Sequence, residues 1–235
     1  MATRSGQVSA AFVRISATLM GDSGGEDLLQ TVVEQAVDLL DAVAAGVMLA
    51  DAGGTLRLLA STGGEPRLVE LLQQDSWAGP FTVCYMSGTP VAVGDIAGTH
   101  ERWPQFSEAA GSMGYRAVHA FPMRMRSTAI GAIILFRTEV GEFTDEDRAI
   151  GQALADLSTI SVLQERTLQE SAVANGQLRR ALESRVLVEQ AKGMIAEMRN
   201  ITMNEAFRLL RDYARANNQK LDEIAKAVLD RSLTV

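Results

Sequence analysis

The sequence predicts an α+β domain built on one antiparallel sheet, continued by a long helix and closed by a small bundle of three helices. Three observations carry this. Short β-compatible runs (AAGVMLAD, TLRLLAST, PVAVGDI, YRAVHAFPMRM and AIGAIILFR) are interleaved with helical pieces as far as Arg137, the mixture of a helix-flanked sheet sandwich. From Phe143 a proline-free stretch keeps apolar spacings of three and four for many turns. The last sixty or so residues then give three amphipathic helices separated by polar breaks.

The bulk properties limit the functions on offer. At 235 residues the chain has room for one generous domain or two modest ones. With 47% hydrophobic and 22% charged residues it has an ordinary globular composition. No apolar stretch approaches the roughly 20 residues needed to span a bilayer, and MATRSGQVSAAFVRI has neither a long apolar core nor a cleavage site. A cytoplasmic protein with no membrane partner is expected. Cys84 is the single cysteine, and His100 and His119 are the two histidines, which leaves no disulfide framework, no multi-cysteine zinc site and no expected cofactor. The net charge of −7 hides an asymmetry. Residues 176–235 hold 11 basic against 8 acidic groups, a balance of +3, while residues 1–175 hold 11 against 21, a balance of −10. Such a split points to two domains with different partners.

The elements follow in order. Val8, Phe12, Ile15 and Leu19 make a first amphipathic helix, GDSGG breaks it, and Leu28, Val32, Ala36 and Leu39 make a second. Ala52, Gly53 and Gly54 read as the turn of a hairpin between the first two strands. Shorter helical pieces are expected near 67–74, 80–87 and 103–113. Thr144 can cap the long helix, with Asp147 three residues on in a spacing resembling a capping box. A seam then runs along it through Ile150, Leu154, Leu157, Ser161 and Gln164, and on through Leu168, Ser171, Asn175, Leu178 and Leu182. One small domain cannot bury so long a helix, so a homodimer through a parallel coiled coil is expected. The alternative is a helix folded back on the sandwich, with a break near Asn175 and Gly176. In the coiled coil Asn175 is a candidate hinge; in the alternative it belongs to a passive linker.

In RVLVEQAKGMIAEM the wheel puts Leu187, Ala191, Met194 and Met198 on one stripe, with Arg185, Lys192 and Arg199 opposite. Gly193 costs on the order of 1 kcal/mol relative to alanine inside a helix, so it marks either a tolerated accident or a surface that something approaches closely. Thr202 and Glu205 have capping-box spacing, Met203, Ala206, Phe207, Leu210 and Ala214 form an apolar face, and Arg208, Arg211 and Arg215 lie opposite. Leu221, Ile224, Ala225, Val228 and Leu229 form the face of a last helix. Tyr213 can either stack on a base or pack in the bundle. Charge alone leaves the arginines open to a plainly solvated face.

The order and identity of these residues go further. Ala181, Leu182, Ser184, Arg185, Gln190, Ala191, Lys192 and Gly193 form a first block; Glu205, Ala206, Phe207, Leu209, Leu210 and Arg211 form a second; Asn218, Lys220, Leu221, Ile224 and Ala225 form a third. In this order they closely resemble the ANTAR domain, the RNA-binding module of transcription antitermination regulators. The resemblance implies a three-helix bundle that binds paired hairpins in nascent transcripts and prevents formation of a terminator. RNA sequence is read mainly in splayed loops while Lys and Arg hold phosphates, so the resemblance suggests an interface of Arg185, Gln190, Lys192, Gly193, Arg208, Arg211, Arg215, Asn218 and Lys220.

The stretches GTPVAVGDI, RWPQFSEAAGSMGYRAVHAFPMRM, IGAIILFR and EFTDEDRAIGQALAD resemble a GAF domain, a small-molecule sensor fold, over about residues 26–163. The signature of its cyclic-nucleotide-binding members is not evident, so the resemblance leaves the ligand unknown. Reductases of free methionine sulfoxide with this fold use several cysteines, whereas Cys84 stands alone in FTVCYM, where burial is its ordinary fate. No catalytic constellation or Gly-rich phosphate loop is found; Gly63 and Gly64 precede a proline. The expected organisation is a sensor domain over residues 1–143, a linking and dimerising helix over 144–178, and an RNA-binding bundle over 179–235. The expected function is signal-responsive antitermination by a non-enzyme. The alternative is a ligand-gated scaffold that acts on a protein partner through its helical bundle.

Overall fold

The computed structural model describes residues 3–20, 25–62, 66–73 and 79–234; the break at residues 21–24, Gly63, Gly64, Gln74 and the side chain of Leu19 lie outside what is described. The chain divides into two compact units, Met1–Arg166 and Thr167–Val235.

The first unit has helices α1 (Arg4–Met20) and α2 (Gly25–Leu40), strands β1 (Ala44–Ala50) and β2 (Leu56–Ser61), and helices α3 (Pro66–Gln73) and α4 (Pro80–Ser87). Strand β3 (Val91–Val93), helix α5 (Pro104–Ser112) and strands β4 (Ala117–Met125) and β5 (Thr128–Arg137) follow. The sheet order is β2-β1-β5-β4-β3, and every pair is antiparallel. Asp51 shapes the predicted hairpin turn: its Oδ1 accepts from the backbone N–H groups of Gly53 (2.9 Å) and Thr55 (3.0 Å), and Gly54 takes φ +82.

Helices cover both faces of the sheet, so the central strands read as continuous apolar runs rather than alternating ones. On one face α1, α2 and the first turns of the helix that begins at Asp145 pack on Val47, Phe121, Ile133 and Leu135; on the other α3, α4 and α5 pack on Met48, Ala120, Ile134 and Phe136. Gly131 and Gly151 permit close approach within this unit. A Cβ on Gly131 would strike the Met48 carbonyl oxygen, and one on Gly151 would strike the Phe121 ring.

Helix α6 (Asp145–Arg199) runs unbroken for 55 residues. No break occurs at Asn175 or Gly176. Thr144 and Asp147 form the predicted capping box, the Asp147 N–H donating to the Thr144 hydroxyl at 3.2 Å and the Thr144 N–H donating to the Asp147 carboxylate at 3.1 Å. Arg4 of α1 also pairs with Asp147.

The first part of the predicted seam is corrected. Ile150 and Leu154 are buried in the unit's own core beside α2, Leu157 packs against that core, and Ser161 is only 4% exposed. The seam pattern assigned the helix one partner throughout its length, whereas these turns are taken up by the sheet and by α2. Leu168, Leu178 and Leu182, farther along, are 66%, 63% and 62% exposed.

Candidate nucleic-acid interface

The second unit is a bundle of the last turns of α6 with α7 (Met203–Ala216) and α8 (Leu221–Leu229). Val188, Ala191 and Ile195 of α6 meet Ala206, Leu210 and Ala214 of α7 and Ile224, Ala225 and Val228 of α8. The predicted stripe is therefore turned by about one residue: Val188 and Ile195 are buried, whereas Met198 is 64% exposed and Met203 43% exposed. Tyr213 packs against the bundle core.

Local chemistry fixes the helix ends. Thr202 and Glu205 form the predicted capping box, with the Thr202 N–H donating to the carboxylate at 2.9 Å and the Glu205 N–H donating to the Thr202 hydroxyl at 3.3 Å. The bond from the Thr202 N–H, and then that from its hydroxyl, holds the Glu205 carboxyl below the usual range. All three helices stop in the same manner. Asn200, Asn218 and Arg231 adopt left-handed φ of 52, 51 and 58. The N–H groups of Ile201, Gln219 and Ser232 then reach back to the carbonyls of Ala196, Ala214 and Ala227, the Schellman pattern.

The predicted interface residues divide into three groups. Arg185, Gln190, Arg208, Arg215, Asn218 and Lys220 are exposed. Asn218 also has the structural task of ending α7, for which asparagine's tolerance of the left-handed region suits it. Lys220 begins α8, its backbone N–H donating to Glu223 at 3.4 Å. Arg211 is half-buried; its Nε has no hydrogen-bond partner among the described residues and stands 3.6 Å from the Asp212 carboxylate.

Lys192 does not lie opposite the buried stripe as the wheel implied. Its side chain is 16% exposed, its Nζ is 2.9 Å from both carboxylate oxygens of Glu189, and it sits 5.4 Å over the ring of Phe207. Sequence reasoning missed Glu189 and Phe207 as partners. The Glu189–Lys192 spacing of three was the available signal, since such residues are neighbours on a helix. At Gly193 a Cβ would meet nothing within 4 Å, so packing within the chain does not require this glycine.

In the first unit Cys84 is buried, and burial pushes its thiol up to about 12, which disfavours the nucleophilic thiolate. His119 is buried and stacked on Phe143 at 3.8 Å, and its Nε2 has no hydrogen-bond partner among the described residues. Burial pushes it down to about 4, Arg137 and Arg148 add to this, and a backbone hydrogen bond with Gly141 opposes it.

A sheet between two helical layers is thus followed by a separately cored bundle with exposed basic residues. Residues 25–162, more than half of the chain, match the GAF domain model, so the chain belongs to the GAF domain family; residues 176–229 match the ANTAR domain. A signal-sensing kind of domain is thus joined to an RNA-binding antiterminator kind, and the protein is a regulator of that general kind.

Among solved structures, the GAF domain of a phosphoenolpyruvate-protein phosphotransferase from Coxiella burnetii is similar at 19% identity and TM-score 0.59, over 70% of this chain and 97% of that one. Its Acinetobacter counterpart gives 17%, 0.56, 71% and 97%. A free methionine-R-sulfoxide reductase from Neisseria meningitidis, solved with its substrate, gives 15%, 0.54, 72% and 95%. These identities speak for the fold alone. No curated protein matches the chain. No helix among the described residues is long and apolar enough to cross a membrane.

Proposed function

We propose that the protein is a cytoplasmic, non-enzymatic, homodimeric regulator that binds paired hairpins in nascent transcripts and promotes antitermination in response to a small-molecule signal. The sensor is assigned to residues 1–143, the linking helix to 144–178 and the RNA-binding bundle to 179–235. The observation that carries the reading is Gly193, a glycine kept inside a helix with open space above it, in a domain that matches the ANTAR model. It lets an RNA loop reach the helix backbone beside Lys192, with Arg185, Gln190, Arg208, Arg211, Arg215, Asn218 and Lys220 supplying phosphate and base-edge contacts.

Dimerisation is supported by the exposed leucines of α6. Leu168, Asn175 and Leu182 recur every seven residues, as do Ser171 and Leu178, and a parallel partner helix would cover them. Two bundles joined in this way bind two hairpins with a gain in effective concentration. A signal ligand acts by favouring one of two arrangements of the polar part of that seam, around Asn175.

The deciding experiment is sequencing of RNA cross-linked to the protein in cells. Enrichment of paired stem-loops upstream of terminators is expected; cross-links without paired stem-loops would sink the reading.

A further inference from the structure

The C-terminal bundle holds a second surface, lined by none of the residues proposed for RNA. A cleft of about 400 Å³ lies between the end of α6 and the end of α8. Ile195 and Val228, both buried, give it an apolar floor, and Met198 and Leu233 contribute apolar sides. Arg199 and Arg231 flank it, and among the described residues that line it one carboxylate, that of Glu197, stands against them. The ion pairs of the bundle among the described residues are Lys192–Glu189 and Arg211–Asp212, so neither cleft arginine is engaged.

Arg231 supplies an independent observation. It occupies the left-handed stop of α8 with φ +58, where α6 and α7 use Asn200 and Asn218. Asparagine tolerates that region, whereas arginine enters it at a conformational cost, and an outlier of this kind points to a use for the side chain. Balancing the helix dipole is not that use, because Lys226 already stands in the last turn of α8.

We infer that this cleft docks an acidic amphipathic helix from a protein partner. Apolar residues at i, i+3 and i+4 enter between Met198 and Leu233, and flanking carboxylates meet Arg199 and Arg231. Unbranched methionine adapts to varied apolar ligands. RNA suits the cleft less well, since among the described residues no aromatic ring lines it for base stacking.

Random 14-residue peptides displayed on phage and selected on the full-length protein test this. The selected peptides should carry a surplus of Asp and Glu with apolar residues at helical spacing, and should lose at least tenfold in affinity to a protein bearing Arg199→Glu and Arg231→Glu. Because that variant could misfold, the unaltered protein with labelled methionine methyl groups gives a second readout: the peptides should shift Met194 and Met198. Selected peptides without acidic surplus, or affinity indifferent to the double reversal in a folded variant, would overturn the inference. So would a hairpin RNA that shifts the same methyl groups, which assigns the cleft to RNA. A Met198 methyl already shielded from a dissolved paramagnet in the free protein would give the cleft to a second copy instead.

Discussion

The Lys192 ammonium is held 2.9 Å from both carboxylate oxygens of Glu189, so the cation proposed to meet RNA is already neutralised in the free chain. To reach a phosphate it must leave that carboxylate or share it. Glu189→Gln should therefore tighten hairpin binding by about 0.5–1 kcal/mol and steepen its salt dependence, while Lys192→Ala weakens binding by about 1 kcal/mol and reduces the salt slope. Filter binding at two salt concentrations reads both. If neither changes affinity in folded protein, this face is only solvated.

Gly193→Ala separates stability from function. The new methyl meets no atom of the chain, and alanine is the better helix former, so the bundle should gain about 0.5–1 kcal/mol in thermal or urea unfolding. Hairpin affinity should fall, because the methyl occupies the space above the backbone. A stabilised variant with unchanged affinity would mean that RNA does not approach there.

Gly131 and Gly151 behave in the opposite way. Gly131→Ala drives a methyl into the Met48 carbonyl of the paired strand, and the first unit should lose more than about 3 kcal/mol. Gly151→Ala presses on the buried Phe121 ring and should cost about 1–3 kcal/mol. Calorimetry of the full chain should show the first unit's transition lowered in both, with the helical bundle's transition unmoved.

The predicted seam now makes two separate predictions. Glutamate at Leu168, Leu178 and Leu182 should yield a folded monomer by sedimentation and weaken hairpin binding at least tenfold through lost avidity. Leu154→Asp should instead unfold the first unit, because it buries a charge in that unit's core. A monomeric wild type at micromolar concentration would remove the coiled coil from the proposal.

His119 predicts a pH dependence. Its folded value near 4 lies below the ordinary 6.5, so the unfolded chain binds the proton more readily. Its contribution to stability is complete above about pH 6.5 and declines as pH falls toward 4, reaching a loss of about 2 kcal/mol near pH 5. His119→Phe, which can keep a ring on Phe143, should remove that slope in urea titrations. Equal slopes in variant and wild type would contradict the burial argument.

The chain's local grammar was readable in advance. Both capping boxes, the hairpin turn at Ala52, Gly53 and Gly54 and the five strands follow from short-range chemistry, and the structure has them where the residues implied, although the part of Asp51 in that turn was not foreseen. Partners distant in sequence were less accessible. The last turns of α6 have two adjacent apolar lines, Leu187 with Met194 and Val188 with Ile195, and only α7 and α8 decide which is buried. Phe207 lies fifteen residues from Lys192 on another helix, so nothing local foretold the ring beneath the ammonium. Ile150 and Leu154 satisfied a heptad pattern as well as a core pattern. Asn218 fitted an interface, yet its position after α7 was also a signal for a left-handed stop.

The strand order has a consequence for how the chain acquires its shape. Ala45 must find Leu135 and Val47 must find Ile133, so the middle of the sheet cannot close until β5 has left the ribosome. In the second unit every partner lies within a few dozen residues, and short-range helical contacts form orders of magnitude faster than long-range strand pairing. The bundle can therefore mature almost as it is synthesised, whereas β1 and β2 wait as an exposed hairpin through the synthesis of some eighty residues. That interval is when the nascent chain is most open to aggregation and chaperone capture.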